Sequence, residues 1–394
     1  MTGAADSPLE ADAPLTAADF AEAFGRVDRG CLAAPWLLAV SGGPDSTALM
    51  HAAAAWAGNA GRPLPAVATV DHRLRDGSRR EADQVGSDAR RLGLEHRVLT
   101  WDRPAGARAS QDAARAARYR LLAAHAHELR AAAIVTAHTQ DDQAETLLIR
   151  MADGSGPAGL AGMAAETWRH GAILLRPFLA LPKARLVATC RARGWRFVED
   201  PSNADDRFAR VRWRTLIPAL AAEGLDARRL ARLAQRMRRV EAALEAAAAA
   251  AAARTLWRRA DGAIVLDLGA LAAEPDEIAL RVLTGAMRAT LPFWFRPGGR
   301  KPDDGAPRLS QRERACPLTR SHIRLDRAEA ALAALLSATR AGRPLRRTLA
   351  GCLLTLDASG QLAVTPEPER KRGRAVTLTA ATVPHSLGIR QGCA

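Results

Sequence analysis

Six consecutive residues, Ser41-Gly42-Gly43-Pro44-Asp45-Ser46, bring together the types needed to hold a polyphosphate. Adjacent glycines let the backbone reach positive φ and let a ligand approach the main chain, while a helix opening behind them offers unpaired N–H groups and a positive dipole end. A lysine-bearing P-loop would carry Lys before the last Ser/Thr, and Asp45 holds that place here. A carboxylate beside a polyphosphate implies a bridging Mg²⁺, because only a cation makes that proximity favourable. The bland alternative is a strand-turn-helix joint with Ser46 in the cap. The full string directly after a strand is much rarer than a Gly-Gly joint, so ATP binding by residues 41–46 is the expectation.

A second concentration of reactive types is His138-Thr139-Gln140-Asp141-Asp142-Gln143-Ala144-Glu145-Thr146. Asp142, Glu145 and Thr146 lie three and four apart, on one face of a helix at its start. Acidic residues in a first turn also complement the dipole, but two adjacent aspartates with a histidine and a glutamine exceed what a cap requires. A third stretch, 200–214, mixes Asp205 and Asp206 with Arg207, Arg210, Arg212 and Arg214. Such a cluster grips phosphate or an acidic substrate group, or forms a salt-bridged surface loop. Arg176 and Lys183, around an Arg-Pro-Phe-Leu segment and a proline-started helix, are further substrate contacts in this reading.

The elements that must position these groups alternate. A short helix over 17–24 precedes an apolar run at 36–40. Strands follow at 66–70, 96–101, 132–137 and 173–179, and helices at 78–92 and 111–129. Strand and helix in alternation mean βαβ units, a doubly wound parallel sheet and a ligand crevice at the strand ends. Both aspartate-bearing loops then share one edge and one Mg-ATP. Residues 154–163, rich in glycine, suit a loop closing over a ligand or a plain connector.

From Asp226 a helix carries the apolar stripe Leu230, Leu233, Met237, Val240 and Leu244, with Arg228, Arg229, Arg232, Arg236 and Arg239 on other faces. Arg232 and Arg236 are expected to meet RNA phosphate, the alternative being a solvated basic face. Beyond it, 262–345 reads as a small helical or mixed unit, 347–365 as two strands joined at Ser359-Gly360, and 366–394 as a basic tail. The expected division is a lead-in at 1–30, a catalytic domain at 31–222, a linker helix at 223–260 and a recognition domain at 261–365.

The 394 residues carry 57 Lys+Arg against 42 Asp+Glu, a formal +15 that favours a polyanionic partner, nucleic acid first. Apolar stretches are too short or too alanine-rich to span a bilayer. The 5 cysteines, Cys31, Cys190, Cys316, Cys352 and Cys393, form no C-x-x-C pair. With no signal-peptide pattern in the first 30 residues, a cytoplasmic protein is expected.

Five segments resemble, in order, those of the tRNA(Ile)-lysidine synthetases: 41–46, Asp71-His72, 138–146, 154–163 with Arg176-Pro177-Phe178-Leu179, and 200–210. The resemblance implies an adenine-nucleotide α-hydrolase-like domain, followed by a helical linker and a smaller, mainly helical C-terminal domain. It also implies a two-step reaction, in which ATP activates the C2 carbonyl oxygen of the wobble cytidine of an isoleucine tRNA with a CAU anticodon. Free L-lysine then displaces AMP. In that scheme Ser41 to Ser46 hold phosphates, Asp45 with Asp141 or Asp142 places Mg²⁺ (Asp45 and Asp142 being the expected pair), and His138 or Glu145 serves the attacking amine. A homodimer is compatible with it. Thr139 stands where many members carry a second histidine, and Phe208 and Val211 where Tyr and Asn are frequent. The rivals are a tRNA thiolase, which would need a reactive or cluster-binding cysteine pair, and a catalytically silent tRNA-binding relative.

Overall fold

The computed structural model describes residues 13–28, 34–73, 77–101, 111–198, 209–290 and 323–368. Its first half runs α1 (Ala17–Gly25), β1 (Trp36–Ala39), α2 (Pro44–Asn59), β2 (Ala66–Asp71), α3 (Ser78–Arg91), β3 (His96–Thr100), α4 (Gln111–Glu128) and β4 (Ala133–Val135). It continues with α5 (Gln140–Ala152), α6 (Pro157–Leu160), β5 (Glu166–Arg169), β6 (Ala172–Leu175) and α7 (Lys183–Ala192). The strands form one sheet in the order β3-β2-β1-β4-β6-β5, parallel except for the β5–β6 edge pair. Leu37 of β1 pairs with Ala66 on one side and Ile134 on the other, so the strand order reverses at β1. That reversal is where a crevice opens in a doubly wound sheet.

All four β1 side chains are buried because helices cover both faces. Leu38 and Val40 pack with α1, α2, α3 and α7, while Leu37 and Ala39 pack with α4. The expected polar lead-in is part of this core. Thr16 and Asp19 cap α1 reciprocally, Phe20 and Phe24 lie against Phe178, and the Leu15 amide donates to Thr189 Oγ1 at 2.7 Å. Each phenyl ring buried there contributes about 1.5–3 kcal/mol.

Two local expectations change. The strand expected over 173–179 stops at Leu175, and a 3-10 turn (Pro177–Ala180) replaces its end because Pro177 lacks the N–H a ladder needs. The glycine-rich stretch 154–163 is not a free flap. Gln143 donates to the Met163 carbonyl and accepts from its amide, both at 2.7 Å. Arg150 donates to the Gly159 and Gly162 carbonyls at 2.8 Å. Gly162 sits at φ +69°, where an added Cβ would meet Gln143 Oε1 at 2.6 Å.

The second half begins with α8 (Ala209–Ala222) and α9 (Ala227–Thr255), the latter capped by Asp226, which accepts from the Arg229 amide at 2.7 Å. Leu230 and Ala234 of α9 pack on Leu147 and Leu148 of α5, whereas Ala251, five turns on, belongs to a second core. The predicted leucine-rich seam is only partly used: Leu230 is buried, but Leu233 and Val240 are exposed. The helix approaches α5 and α6 closely, so small Ala234 occupies the contact and Arg238 donates to the Ala161 and Met163 carbonyls at 3.0 and 2.7 Å.

That second core lies between helices and a five-stranded antiparallel sheet. Its strands are β7 (Leu256–Arg258), β8 (Ile264–Asp267), β9 (Leu345–Leu349), β10 (Cys352–Leu356) and β11 (Gln361–Pro366), in the order β7-β8-β11-β10-β9. The helices are α10 (Leu268–Leu271), α11 (Asp276–Thr290) and α12 (Leu325–Arg340). Three strands, not two, fill 345–366. The Ser359-Gly360 turn is present, with Asp357 accepting from the amides of Ser359 and Gln361, but a second turn at Ala350-Gly351 places Ala350 at φ 49°, a conformation its residue type does not advertise. Among the described residues no helix is long and apolar enough to cross a membrane.

Candidate active site

The loop between β1 and α2 has the shape its glycines foretold. Gly42 sits at φ +90°, and a Cβ there would press on Val85 Cγ2 at 3.3 Å. Gly43 is the N-cap of α2 and Pro44 its first residue. Ser46 Oγ turns back into the loop, accepting from the Ser41 amide at 3.2 Å and donating to the Gly43 carbonyl at 3.0 Å, and lies 3.3 Å from Ser41 Oγ. The Val198 amide donates to the Gly42 carbonyl at 2.9 Å, tying the loop to the chain beyond α7.

Asp45 is the charged member of this loop. Burial pushes its carboxyl up to about 6, opposed by Lys183 and reinforced by Asp142 and Asp141. Lys183 Nζ stands 3.4 Å from Asp45 Oδ2, while Oδ1 is buried without a hydrogen-bond partner. Below the loop, Cys190 Sγ donates to the Pro44 carbonyl at 3.5 Å. Burial and then Asp45 push that thiol up to about 12.

The second loop arrives at the same edge from β4. Thr139 caps α5 and forms a reciprocal box with Asp142, whose Oδ2 accepts from the Thr139 amide at 2.8 Å and hydroxyl at 3.1 Å. Burial raises Asp142, but His138, the Thr139 amide and Arg210 outweigh it and hold the carboxyl low. Asp141 turns away to cap α7, accepting from the Lys183 amide at 2.8 Å. His138 accepts or donates at Nδ1 with Thr136 Oγ1, 2.8 Å away. Burial, opposed by Asp142 and aided by Arg176, Arg115 and Arg118, lowers it to about 3, so its imidazole is neutral at physiological pH.

Glu145, 2% exposed, is pushed up by burial and held by Arg214 through Nε and, at 3.4 Å, Nη2. The same guanidinium lies 3.9 Å from Asp142 Oδ1. Sequence reading placed Arg214 in the basic cluster without singling it out. The usable signal was its spacing, one helical turn beyond Arg210 on α8. Arg210 pulls on both Asp142 and Glu145. The structure therefore brings together Ser41 to Ser46, Lys183, Asp141, Asp142, Glu145 and Arg210.

Arg176, Arg232 and Arg236 are not among the residues brought together there. Arg176 is buried at the end of β6, where Nη1 donates to the Ala164 carbonyl at 2.7 Å and Thr167 Oγ1 at 3.1 Å. Arg232 and Arg236 lie exposed on α9, in a stripe with Arg228 and Arg239. Asp205 and Arg207 lie outside the described residues. Asp71 of the Asp71-His72 segment fastens its own loop, accepting from the Arg73 amide at 2.9 Å and Ser78 Oγ at 2.8 Å.

No group of three or more His, Cys, Asp or Glu side chains among the described residues is arranged to hold a metal by itself. Mg²⁺ asks for less: it is commonly held by one or two carboxylates plus substrate phosphates. The orphaned Asp45 Oδ1 and the repulsion between Asp45 and Asp142 suit such an ion.

Residues 18–220 match the family model ATP_bind_3, described as a PP-loop domain. The tRNA(Ile)-lysidine synthase of Methylobacterium sp. (strain 4-46) is 50% identical over 350 residues, covering 86% of this chain and 93% of that protein. The protein of the same name from Methylobacterium nodulans is 49% identical over 374 residues, covering 92% and 99%. Among solved structures, the U34-tRNA thiolase NcsA from Methanococcus maripaludis is similar at 13% identity and a TM-score of 0.47, covering 56% of this chain and 78% of that one. A phosphate loop with an aspartate in place of the P-loop lysine, on a doubly wound sheet, and near-full-length similarity to these curated relatives lead to one conclusion: the chain belongs to the tRNA(Ile)-lysidine synthase family, built on a PP-loop domain.

Proposed function

We propose that this protein joins free L-lysine to C2 of the wobble cytidine of an isoleucine tRNA with a CAU anticodon, in the cytoplasm, consuming ATP. The observation that carries the reading is the convergence of Asp45 and Asp142 from two loops on one parallel-sheet edge beside the 41–46 cradle.

In the first half-reaction the cytidine C2 oxygen attacks the α-phosphorus of ATP, the bond to the β,γ-phosphates breaks and pyrophosphate leaves. The backbone of 41–46 and the Ser41 and Ser46 hydroxyls bind the departing phosphates at the positive end of α2. Asp45 and Asp142 would hold Mg²⁺, which when bound neutralises charge on the phosphates. Both candidate partners cap a helix, Asp141 that of α7 and Asp142 that of α5, and Asp142, whose charge acts more strongly on Asp45, is the better placed. Lys183 adds a further positive charge within 3.4 Å of Asp45.

In the second half-reaction an amine of lysine attacks C2, AMP leaves and the nitrogen loses a proton. Glu145 serves that proton better than His138 does, since burial raises the basicity of Glu145 and depresses that of His138. His138, neutral and fixed by Thr136, is suited to orienting a hydrogen bond. Cys190, the cysteine beside the loop, is held protonated, which disfavours the thiolase alternative.

Incubation with ATP, Mg²⁺, L-lysine and the tRNA, followed by mass analysis of the RNA, tests the reading. It predicts a gain matching lysine less water. A gain matching sulfur exchange, or none, contradicts it.

A further inference from the structure

Arg214 comes to the site from α8 and closes on a carboxylate that is all but sealed from solvent. The Glu145 side chain is 2% exposed, whereas 35% of the Arg214 side chain is. Arg214 takes both carboxylate oxygens, Oε1 through Nε and Oε2 through Nη2 at 3.4 Å. A guanidinium on both oxygens fixes the plane of a carboxylate as well as its position. Each oxygen keeps a second lone pair for another donor.

Docking of α8 on α5 does not need this ion pair. Trp213, Ile217 and Leu220 of α8 pack on the cluster that contains Ala144, Leu147 and Leu148 of α5, and beside such apolar contact a buried ion pair adds little net stability. Arg214 also reaches past Glu145. Its Nη2 stands 3.9 Å from Asp142 Oδ1, and although burial disfavours its charge, Glu145, Asp142 and Asp45 outweigh that and raise it. One guanidinium thus answers to all three carboxylates of the site. Asp142 and Glu145 are three residues apart on one helix, where like charges repel, and Arg214 is the foremost group opposing the rise that burial imposes on Glu145.

Resting on the function proposed above, we propose that Arg214 is a positioning residue for the lysine-addition step, holding the Glu145 carboxylate where it takes the proton of the attacking nitrogen. In that step the bond from nitrogen to C2 forms and the bond from C2 to the adenylate oxygen breaks. The electron pair of the broken bond leaves with AMP, and the proton on nitrogen passes to Glu145. Arg214 forms no bond to the reactants and keeps its own protons. Adenylation draws instead on the 41–46 cradle, Asp45 and Asp142, and of these Asp142 is the one that Arg214 approaches within 4.0 Å. Removal of the guanidinium therefore falls mainly on the second step.

The test follows the full-length protein with ATP, Mg²⁺ and tRNA through two stages: pyrophosphate release in one turnover without lysine, then conversion of the adenylated tRNA once L-lysine is added. Arg214→Gln should release pyrophosphate within about threefold of the wild-type rate and then react with lysine about 100-fold more slowly, so that adenylated tRNA accumulates. Arg214→Lys should recover part of the lost rate. Both steps are read in one sample, so a lowered folded fraction cancels from their ratio. Combined with Glu145→Gln, Arg214→Gln should add no further loss, because it acts through the group already removed. Equal slowing of the two steps overturns the inference, as does an additive loss in the double variant, which gives Arg214 a role apart from Glu145. A wild-type protein that adds no lysine overturns the proposed function itself, and the positioning role with it.

Discussion

The two sheets of this chain treat buried polarity differently. Among the described residues, the buried charged side chains, Asp71, Glu145 and Arg176, all lie in the first half, together with most buried hydroxyls and amides. In the second half the buried polar residues are Thr255 and Thr284, and each donates to the carbonyl one turn back, at 2.9 and 2.8 Å. One core is apolar apart from two hydroxyls that serve their own helices. The other holds an orphaned carboxylate oxygen and a buried glutamate gripped by an arginine, an arrangement that favours binding over stability.

The largest effect on nucleotide affinity should come from closing the cradle. Gly42→Val adds a branched side chain at φ +90° against Val85, and should weaken ATP binding by about 100-fold or more in a nucleotide titration. Retained affinity would mean that the loop is only a joint.

Within the second unit, Arg281 pairs with Glu241 at 2.9 and 2.7 Å and with Glu277 at 2.7 Å, clamping α9 to α11. Glu241→Ala should cost about 2–4 kcal/mol of stability in denaturant titration yet leave turnover per folded molecule near wild type. A loss of kcat would break the division of labour drawn here.

Asp45 offers a test with a defined sign. Its folded-state carboxyl lies near 6 against an unfolded value of 3.8, so between about pH 4 and 6 the native state keeps a proton the unfolded chain has released. Stability is therefore lost as pH rises through that window, and the deficit is complete above it. Asp45→Asn should stabilise the ligand-free protein by about 2–3 kcal/mol at pH 8 and by nothing at pH 3. A destabilised variant at pH 8 would mean that Lys183 already compensates the charge.

The smallest change concerns α9. Arg232→Ala with Arg236→Ala should reduce the salt slope of tRNA binding by about 2 without altering ATP affinity. An unchanged slope would return that helix to a purely structural role.

Much of the site was legible because backbone chemistry writes itself into residue type. Gly42-Gly43 announced a positive φ, and the acidic residues after Thr139 announced the first turn of a helix. The rest depended on contacts remote in sequence. Asp141 resembles Asp142 in the chain, and only the arrival of α7 decides that Asp141 caps that helix while Asp142 closes its own and faces Arg214. Leu233 and Val240 fit a helical stripe, but close approach to α5 favoured Ala234. The grip of Arg214 on Glu145 joins residues 69 apart in the chain, which no local pattern connects.

In the proposed reaction the two aspartate-bearing loops act as one adenylating site. Pyrophosphate released in a single turnover with ATP, Mg²⁺ and tRNA but no lysine tests this most directly, comparing wild type with Asp45→Ala. A loss of about 1000-fold with tRNA affinity intact is the expected result. Normal pyrophosphate release by Asp45→Ala would contradict the account.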